Sequence, residues 1–140
     1  MKNSRKTFII GHLSKRIIEK WHLDISVDKE IYQSVGLYKH IYKHINEYIS
    51  NESADYTLKH IKDIIAYPDY VSYNLKQKSI EYYKYLLEPI SVVVQQSKDD
   101  TLYVASVYPV KEAKIRNRKK KEHQILEQIL IDKYKYHEAA

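Results

Sequence analysis

The stretch ISVVVQQSKDDTLYVASVY, residues 90–108, decides the fold of this chain. It contains two runs rich in β-branched and aromatic residues, 90–96 and 102–108, with the polar link KDD at 98–100 between them. Two such runs joined by so short a polar link predict an antiparallel hairpin. The hairpin lies late in the chain, so the elements before it determine what packs against it.

Helical spacing of apolar residues dominates the sequence before the hairpin. It predicts a helix over residues 13–21 and a second helix over residues 37–48, directly after Gly36. A third helix is expected to begin at a cap provided by Asn51 or Ser53. Pro68 ends this helix, because the residue before a proline is disfavoured in the helical region.

Two further segments and the C-terminal part complete the expected architecture. Residues 79–86 favour a strand, and residues 30–32 favour a short extended piece. Apolar residues from Ile125 to Tyr134 recur at helical spacing and predict a C-terminal amphipathic helix. We therefore expect an α+β fold with N-terminal helices packed on a small, about four-stranded antiparallel sheet, followed by this C-terminal helix.

Composition excludes several classes of protein. The 140 residues include no cysteine, which rules out disulfides, thiolate zinc sites and thiol catalysis and agrees with a cytoplasmic location. The only apolar run near the start, residues 8–10, is too short for a signal sequence or a membrane span. Lys and Arg number 24 against 18 Asp and Glu, giving a net charge of +6. Fifteen tyrosines accompany this charge, a composition that suits either base stacking or simply an AT-rich genome.

Two histidines on the second predicted helix are candidate catalytic residues. His40 and His44 are four residues apart and project to a similar side of the helix. The spacing would suit a metal ion, but Ile41 follows His40 where a zinc protease motif has Glu, so we expect no metal site here. Packing, solvation and proton transfer all remain open for these histidines.

Two polar residues on the last predicted strand are also candidates. Alternation predicts that Ser106 and Tyr108 share a strand face with Leu102 and Val104, while Ala105 points to the other face. This arrangement is typical of a strand end whose side chains pack against the hydrophobic core. It also suits phosphate binding or proton transfer by the two hydroxyl groups.

The densest positive charge follows this strand directly. It begins at Lys111 and includes Lys114, Arg116 and Arg118 before the run of lysines at 119–121. Such a segment is either a solvated face or the footprint of phosphate contacts with a nucleic acid.

Several segments taken in order resemble a known family. These are IIGHL (9–13), HIYKH (40–44), IIAYPDYV (64–71), KSIEY (78–82) and LYVASVY (102–108). Their order and spacing resemble the phage-associated nuclease domains named for barnase, EndoU, colicin and RelE toxins. The resemblance spans about residues 9–118, so residues 1–118 would form the nuclease domain and residues 119–140 a basic helical extension of it.

The resemblance implies metal-independent cleavage of RNA, often tRNA, by toxins of phages and mobile elements, without a cofactor. An immunity or antitoxin protein is then an expected partner, and no membrane is involved. By position, the family's catalytic residues correspond to His44, His40, Ser106 and Tyr108. Substrate binding is expected from Lys43, Lys111, Lys114, Arg116 and Arg118. The family often has Arg where this chain has Ala105.

Two other hypotheses remain open. The Ala105 departure suits a catalytically inactive relative that binds nucleic acid. The predicted C-terminal helix suits a protein-interaction module that forms a homodimer. Catalysis by the proposed residues requires that His44 and Ser106 face one basic cleft.

Overall fold

A computed structural model describes residues 6–119 and 125–127 of the chain. One mixed sheet of seven strands has the order β1-β2-β6-β5-β4-β3-β7. The strands are β1 (Thr7–His12), β2 (Glu30–Ser34), β3 (Tyr70–Asn74), β4 (Ser79–Tyr85), β5 (Pro89–Gln96), β6 (Leu102–Pro109) and β7 (Ile125–Glu127). The helices are α1 (Lys15–Trp21), α2 (Leu37–Lys43), α3 (Asn51–Lys59), α4 (Ile61–Ala66) and α5 (Glu112–Lys119). The α+β class is therefore confirmed.

The predicted hairpin is confirmed as the centre of the sheet. Strands β5 and β6 pair antiparallel from Ile90 opposite Pro109 to Gln96 opposite Leu102. The expected four-stranded antiparallel sheet is wrong in its size and its pairing, because β2 runs parallel to β6 and β1 adds a further strand. The parallel pairing joins residues far apart in the sequence, so the local pattern carries no signal for it.

The helices α1 to α4 cover one face of the sheet. Ile17, Ile41, Ile61 and Ile64 are nearly inaccessible to solvent, as are the strand residues beneath them. They form one core with the apolar residues of β3 to β6. Burying each such side chain contributes about 1.5–3 kcal/mol, which makes this layer the main source of stability.

The second and third helices have boundaries that differ from those predicted from the sequence. The second helix ends at Lys43 and is followed by a 3-10 turn, Ile45–Glu47. The third is two helices, α3 and α4, that meet at His60. Its cap is Ser50, whose Oγ accepts a hydrogen bond from the Ser53 amide at 3.0 Å, instead of Asn51 or Ser53.

The C-terminal part also differs from the expected helix. Residues Ile125–Glu127 form β7, which pairs antiparallel with β3. The helix prediction is therefore wrong for these three residues, and the rest of that predicted helix lies outside the described residues. The first part of the basic segment forms α5, which the sequence left unassigned.

Candidate functional site

His40 in α2 and His44, which caps the C-terminal end of this helix, lie side by side. Leu37 and Ile41 anchor α2 in the core, and the His40 and His44 rings lie one turn apart with centroids separated by 5.1 Å. Nδ1 of His44 lies 2.7 Å from a carboxylate oxygen of Glu47. That contact fixes the His44 ring and leaves Nε2 as the nitrogen available to a substrate.

The pKa of His40 is lowered below its ordinary value of 6.5. Partial burial is the main cause, because it disfavours the charged imidazolium. The neighbouring positive groups of His44 and Lys43 act in the same direction, while Glu47 opposes them. His40 is therefore largely neutral at pH 7, the state in which an imidazole accepts a proton.

His40 faces a cavity formed where two strands separate. Strands β2 and β6 pair only at Ile31 with Leu102 and at Tyr32 with Tyr103. Beyond that pair the strands diverge, and a space of about 890 Å³ opens between them, here called the fork cavity. Its lining residues are Lys6, Thr7, Tyr32, Ser34, Val35, Gly36, Leu37, Lys39, His40, Tyr103, Val104 and Ala105.

The fork cavity combines positive charge with aromatic surface. Lys6, Lys39 and His40 provide its charged and titratable groups, and Tyr32 and Tyr103 provide aromatic rings. No carboxylate is among its described lining residues. Cations beside aromatic rings suit a nucleic-acid strand, because the cations bind phosphate and the rings stack on bases.

A bulge in β6 changes which residues share a face of this strand. Val93 pairs with Ser106 but Val94 pairs with Val104, so Ala105 is an extra residue in β6. Val104 and Val107 consequently both belong to the helix-covered core. The expectation that Ser106 shares a face with Leu102 and Val104 is wrong, because the bulge reverses the alternation after Ala105.

Ser106 and Tyr108 therefore lie on the opposite face of the sheet, here called the polar face. Its buried or half-buried polar residues include Ser72, Ser79, Glu81, Tyr83, Ser91, Ser106 and Tyr108. Tyr32 and Tyr103 project from this face too, because Tyr103 pairs with Gln95 and Gln95 pairs with Ser79. The fork cavity thus connects His40 with one end of the polar face.

A hydrogen-bonded cluster occupies the middle of the polar face. Glu81 accepts hydrogen bonds from the hydroxyl groups of Tyr83 and Ser72. Arg118 of α5 lies 3.5 Å from the same carboxylate oxygen. Burial and the bond to Glu81 raise the pKa of Tyr83, so its phenol stays protonated and donates. This cluster holds α5 against the sheet.

The predicted substrate-binding cations lie in two places. Lys43 is exposed near the end of α2, next to His44. Lys111 is exposed in front of α5, Arg116 pairs with Glu112 on its surface, and Arg118 is held by Glu81. Nζ of Lys114 lies 3.3 Å from the Tyr108 hydroxyl and over its ring. None of these cations lines the fork cavity.

The structure brings the four predicted catalytic residues together only in part. His40 lines the fork cavity, and His44 contacts His40. Ser106 lies on the polar face one residue beyond Ala105, which lines the cavity, and Tyr108 lies nearer to α5. Helix α2 packs on the helix-covered face of the sheet, whereas Ser106 lies on the polar face. His44 and Ser106 therefore do not face one common cleft, contrary to the expectation from the sequence.

Sequence reasoning missed most of the residues that shape these sites. In the fork cavity these are Lys6, Tyr32, Lys39 and Tyr103. On the polar face it missed Glu81, although a lone carboxylate between the apolar strand residues Ile80 and Tyr82 is a detectable signal. The β2–β6 separation that creates the cavity has no counterpart in the local sequence.

Two negative findings apply to the described residues. Among residues 6–119 and 125–127, no group of three or more His, Cys, Asp or Glu side chains is placed to hold a metal ion. Within the same ranges, no helix is long and apolar enough to cross a membrane.

Comparison with known families identifies the family of this chain. A family model described as phage-Barnase-EndoU-ColicinE5/D-RelE like nuclease matches residues 7–117. This chain belongs to that nuclease family, as its sequence resemblance predicted. The matched stretch runs from β1 into α5 and includes nearly all of the fork cavity and the polar face. Neither a curated protein nor a solved structure matches the chain significantly.

Proposed function

We propose that the chain is an endoribonuclease that cleaves RNA by attack of a ribose 2′-hydroxyl on the neighbouring phosphate at the fork cavity. One observation carries this proposal. His40, whose pKa is lowered, lines this cavity together with the cations Lys6 and Lys39 and the tyrosines Tyr32 and Tyr103. A neutral imidazole next to cations is the combination that this reaction needs.

The two proton transfers of the reaction are divided between His40 and His44. His40 takes the proton of the 2′-hydroxyl, and the resulting oxygen attacks phosphorus. His44, oriented by Glu47, donates a proton to the departing 5′-oxygen. Lys6 and Lys39 stabilise the negative charge that develops on the phosphate oxygens. The products are a 2′,3′-cyclic phosphate and a free 5′-hydroxyl. Because the nucleophile belongs to the substrate and lysines neutralise the charge, this route requires no metal ion.

Ser106 and Tyr108 take a secondary role in this proposal. They follow Ala105 along β6 on the polar face, and Tyr108 already contacts Lys114. A strand of RNA that leaves the fork cavity along this face would meet their hydroxyl groups and then the cations of α5. Structured RNA such as tRNA, and a role as a toxin, remain predictions from the family.

The test is cleavage of a labelled RNA in EDTA, compared with the same RNA carrying one 2′-deoxyribose at the cleaved position. We expect cleavage of the first RNA, 2′,3′-cyclic phosphate ends, and no cleavage at the deoxy position. His40→Ala should lower the rate by about 10²–10⁴-fold, the usual contribution of general base catalysis. His12→Ala is the matched control, because His12 is exposed at the opposite end of β1 from the cavity.

Cleavage at the deoxy position would contradict attack by the 2′-hydroxyl. A His40→Ala variant that folds, as judged by circular dichroism, and retains full activity would remove His40 from the mechanism. His44→Ala separately tests the general acid. The reduction in the cleavage rate should be largest for substrates with a poor leaving group.

A second candidate function is that of an inactive nucleic-acid-binding relative. The specific observation is Ala105, which lines the fork cavity where the family often carries Arg. In this case the protein binds RNA with strong salt dependence but does not cleave it under any condition. Ala105→Arg would then create activity, whereas under the leading proposal Lys6 and Lys39 already supply the cations and the wild-type chain cleaves.

A further inference from the structure

A smaller pocket lies directly beside the fork cavity. It measures about 410 Å³ and shares three residues with the larger space: Thr7, Tyr32 and Tyr103. Its other walls are Ser97, Asp99 and Thr101 from the turn between β5 and β6. We call this space the turn pocket.

The two pockets differ in charge. The fork cavity has lysines and no carboxylate among its described lining residues, whereas the turn pocket has Asp99 and no cation among its described lining residues. A phosphate is attracted to the first pocket and repelled by the second. A single nucleotide that spans both would place its phosphate near Lys6 and Lys39 and its base beside Asp99.

The aromatic rings stand at the boundary between the two pockets. Tyr32 and Tyr103 occupy paired positions on adjacent strands and line both spaces. The Tyr32 hydroxyl donates to Glu30 at 3.0 Å, which holds this ring in place. Tyr103 is 36% exposed, so its ring is open to a ligand. A fixed ring and an exposed ring at one site suit the stacking of an unpaired base.

The turn holds Asp99 as an acceptor. Oδ1 of Asp99 accepts hydrogen bonds from the Ser97 hydroxyl and from the Thr101 amide, which is 3.2 Å away. The bond from Ser97, followed by those from Thr101, lowers the pKa of Asp99, so the group is a carboxylate at neutral pH. Asp99 is exposed, and a carboxylate has acceptor capacity beyond these bonds, so it can also accept from a ligand.

We propose that the turn pocket is a nucleobase subsite that binds an unpaired base bearing an amino group, stacked on Tyr32 and Tyr103 and hydrogen-bonded to Asp99. Adenine, cytosine and guanine each offer an amino group to the carboxylate, whereas uracil has no amino group and its one N3–H lies between two carbonyl oxygens that the carboxylate repels. This inference rests on the proposed function for its substrate class, RNA. It adds a preference for the base next to the cleaved bond.

The test is equilibrium binding of fluorescent 2′-fluoro hexamers of A, C or U, which lack the nucleophile and cannot be cleaved. We expect the A and C hexamers to bind several-fold more tightly than the U hexamer. Tyr103→Ala should weaken binding at least about fivefold and Tyr103→Phe should not, because stacking needs the ring alone. Tyr56→Ala is the control, since Tyr56 is an exposed tyrosine on α3.

Asp99→Asn should remove the discrimination against U, because an amide donates to carbonyl oxygens and also accepts. Asp100→Asn is its matched control: it removes the same charge from the same turn, but Asp100 binds Gln96 and does not line the pocket. Equal binding of all three hexamers by the wild-type chain, or equal loss of preference in both variants, would overturn the subsite.

The binding test of the turn pocket and the cleavage test of the proposed nuclease function can fail independently of each other. Base-selective binding without cleavage of RNA would leave the turn pocket standing and refute the nuclease mechanism. Cleavage by the 2′-hydroxyl route without any base preference would support the nuclease mechanism and refute the turn pocket as a base subsite.

Discussion

At the scale of single residues, the local surroundings of His40 decide its chemistry. The residue lies beside the buried stripe of α2 and next to two positive groups, and both circumstances favour the neutral imidazole. His44, one turn further on, lies just beyond the end of α2, and its Nδ1 is held by the exposed carboxylate of Glu47. Two histidines of one short segment thus have different surroundings, and this difference is the basis of the different proton-transfer roles that we propose for them.

The activity of the protein should depend on pH in a direction set by His40. A general base acts when it is neutral, and the lowered pKa keeps His40 neutral to below pH 6.5. The acidic limb of the kcat/KM profile should therefore lie below pH 6.5. Lys43→Gln removes a charge that lowers this pKa, so the limb should move to higher pH. Lys76→Gln, in the turn after β3, should leave it in place, and an identical shift in both variants would argue against His40.

At the scale of elements, close packing of α4 on β1 fixes the first strand. Gly11 follows the irregularity in the β1–β2 pairing, and a Cβ added there would lie 2.9 Å from Cγ2 of Ile65. That distance is too short for ordinary contact, and Ile65 is a buried residue of the core. The glycine is thus required by the approach of the helix, and its backbone φ is not positive.

Gly11→Ala should lower the free energy of unfolding by about 1–3 kcal/mol, because the added methyl group must displace the Ile65 side chain. Chemical denaturation measures this change. Gly36→Ala is the control, since a Cβ at Gly36 would lie 3.6 Å from the Ser34 hydroxyl, an ordinary contact distance. A comparable loss in both variants would show that glycine flexibility, and not packing against α4, is responsible.

At the scale of the whole molecule, the sheet separates two different environments. The helix-covered face is apolar, whereas the polar face carries the Glu81 cluster and is covered in part by α5. The buried carboxylate of Glu81 is compensated by the hydroxyl groups of Tyr83 and Ser72 and by Arg118. Because a buried charge without partners is very unfavourable, this cluster constrains where α5 docks.

Glu81→Ala should destabilise the fold by about 1–3 kcal/mol, because it leaves the Tyr83 hydroxyl and the Arg118 guanidinium without their acceptor. Glu112→Ala removes a carboxylate from an ion pair with Arg116 in which both side chains are well exposed, so it should cost at most about 1 kcal/mol. Thermal or denaturant unfolding compares the two variants. Equal effects would mean that the Glu81 cluster does not hold α5.

Much of the fold follows from patterns that the sequence displays. The hairpin of β5 and β6, strand β4, the start of α2 and the presence of helices near α1 and α3 follow from local periodicity and turn residues, because these depend on neighbours in the chain. The number of strands in the sheet could not be predicted from these local patterns. Strand β1 and the parallel contact of β2 with β6 depend on residues distant in sequence, and β3 and β7 are short strands with little pattern of their own.

The sequence by itself determined the family, the basic and cysteine-free composition, and the histidine helix with its two candidate groups. Tertiary structure alone decided which of these groups line a cavity and which face of the sheet each strand residue occupies. The bulge at Ala105 moved Ser106 to the polar face, and the separation of β2 from β6 created the fork cavity that His40 and Lys6 line. A one-residue irregularity reverses the facing of every later side chain in a strand, and a gap between strands exists only once distant segments have paired.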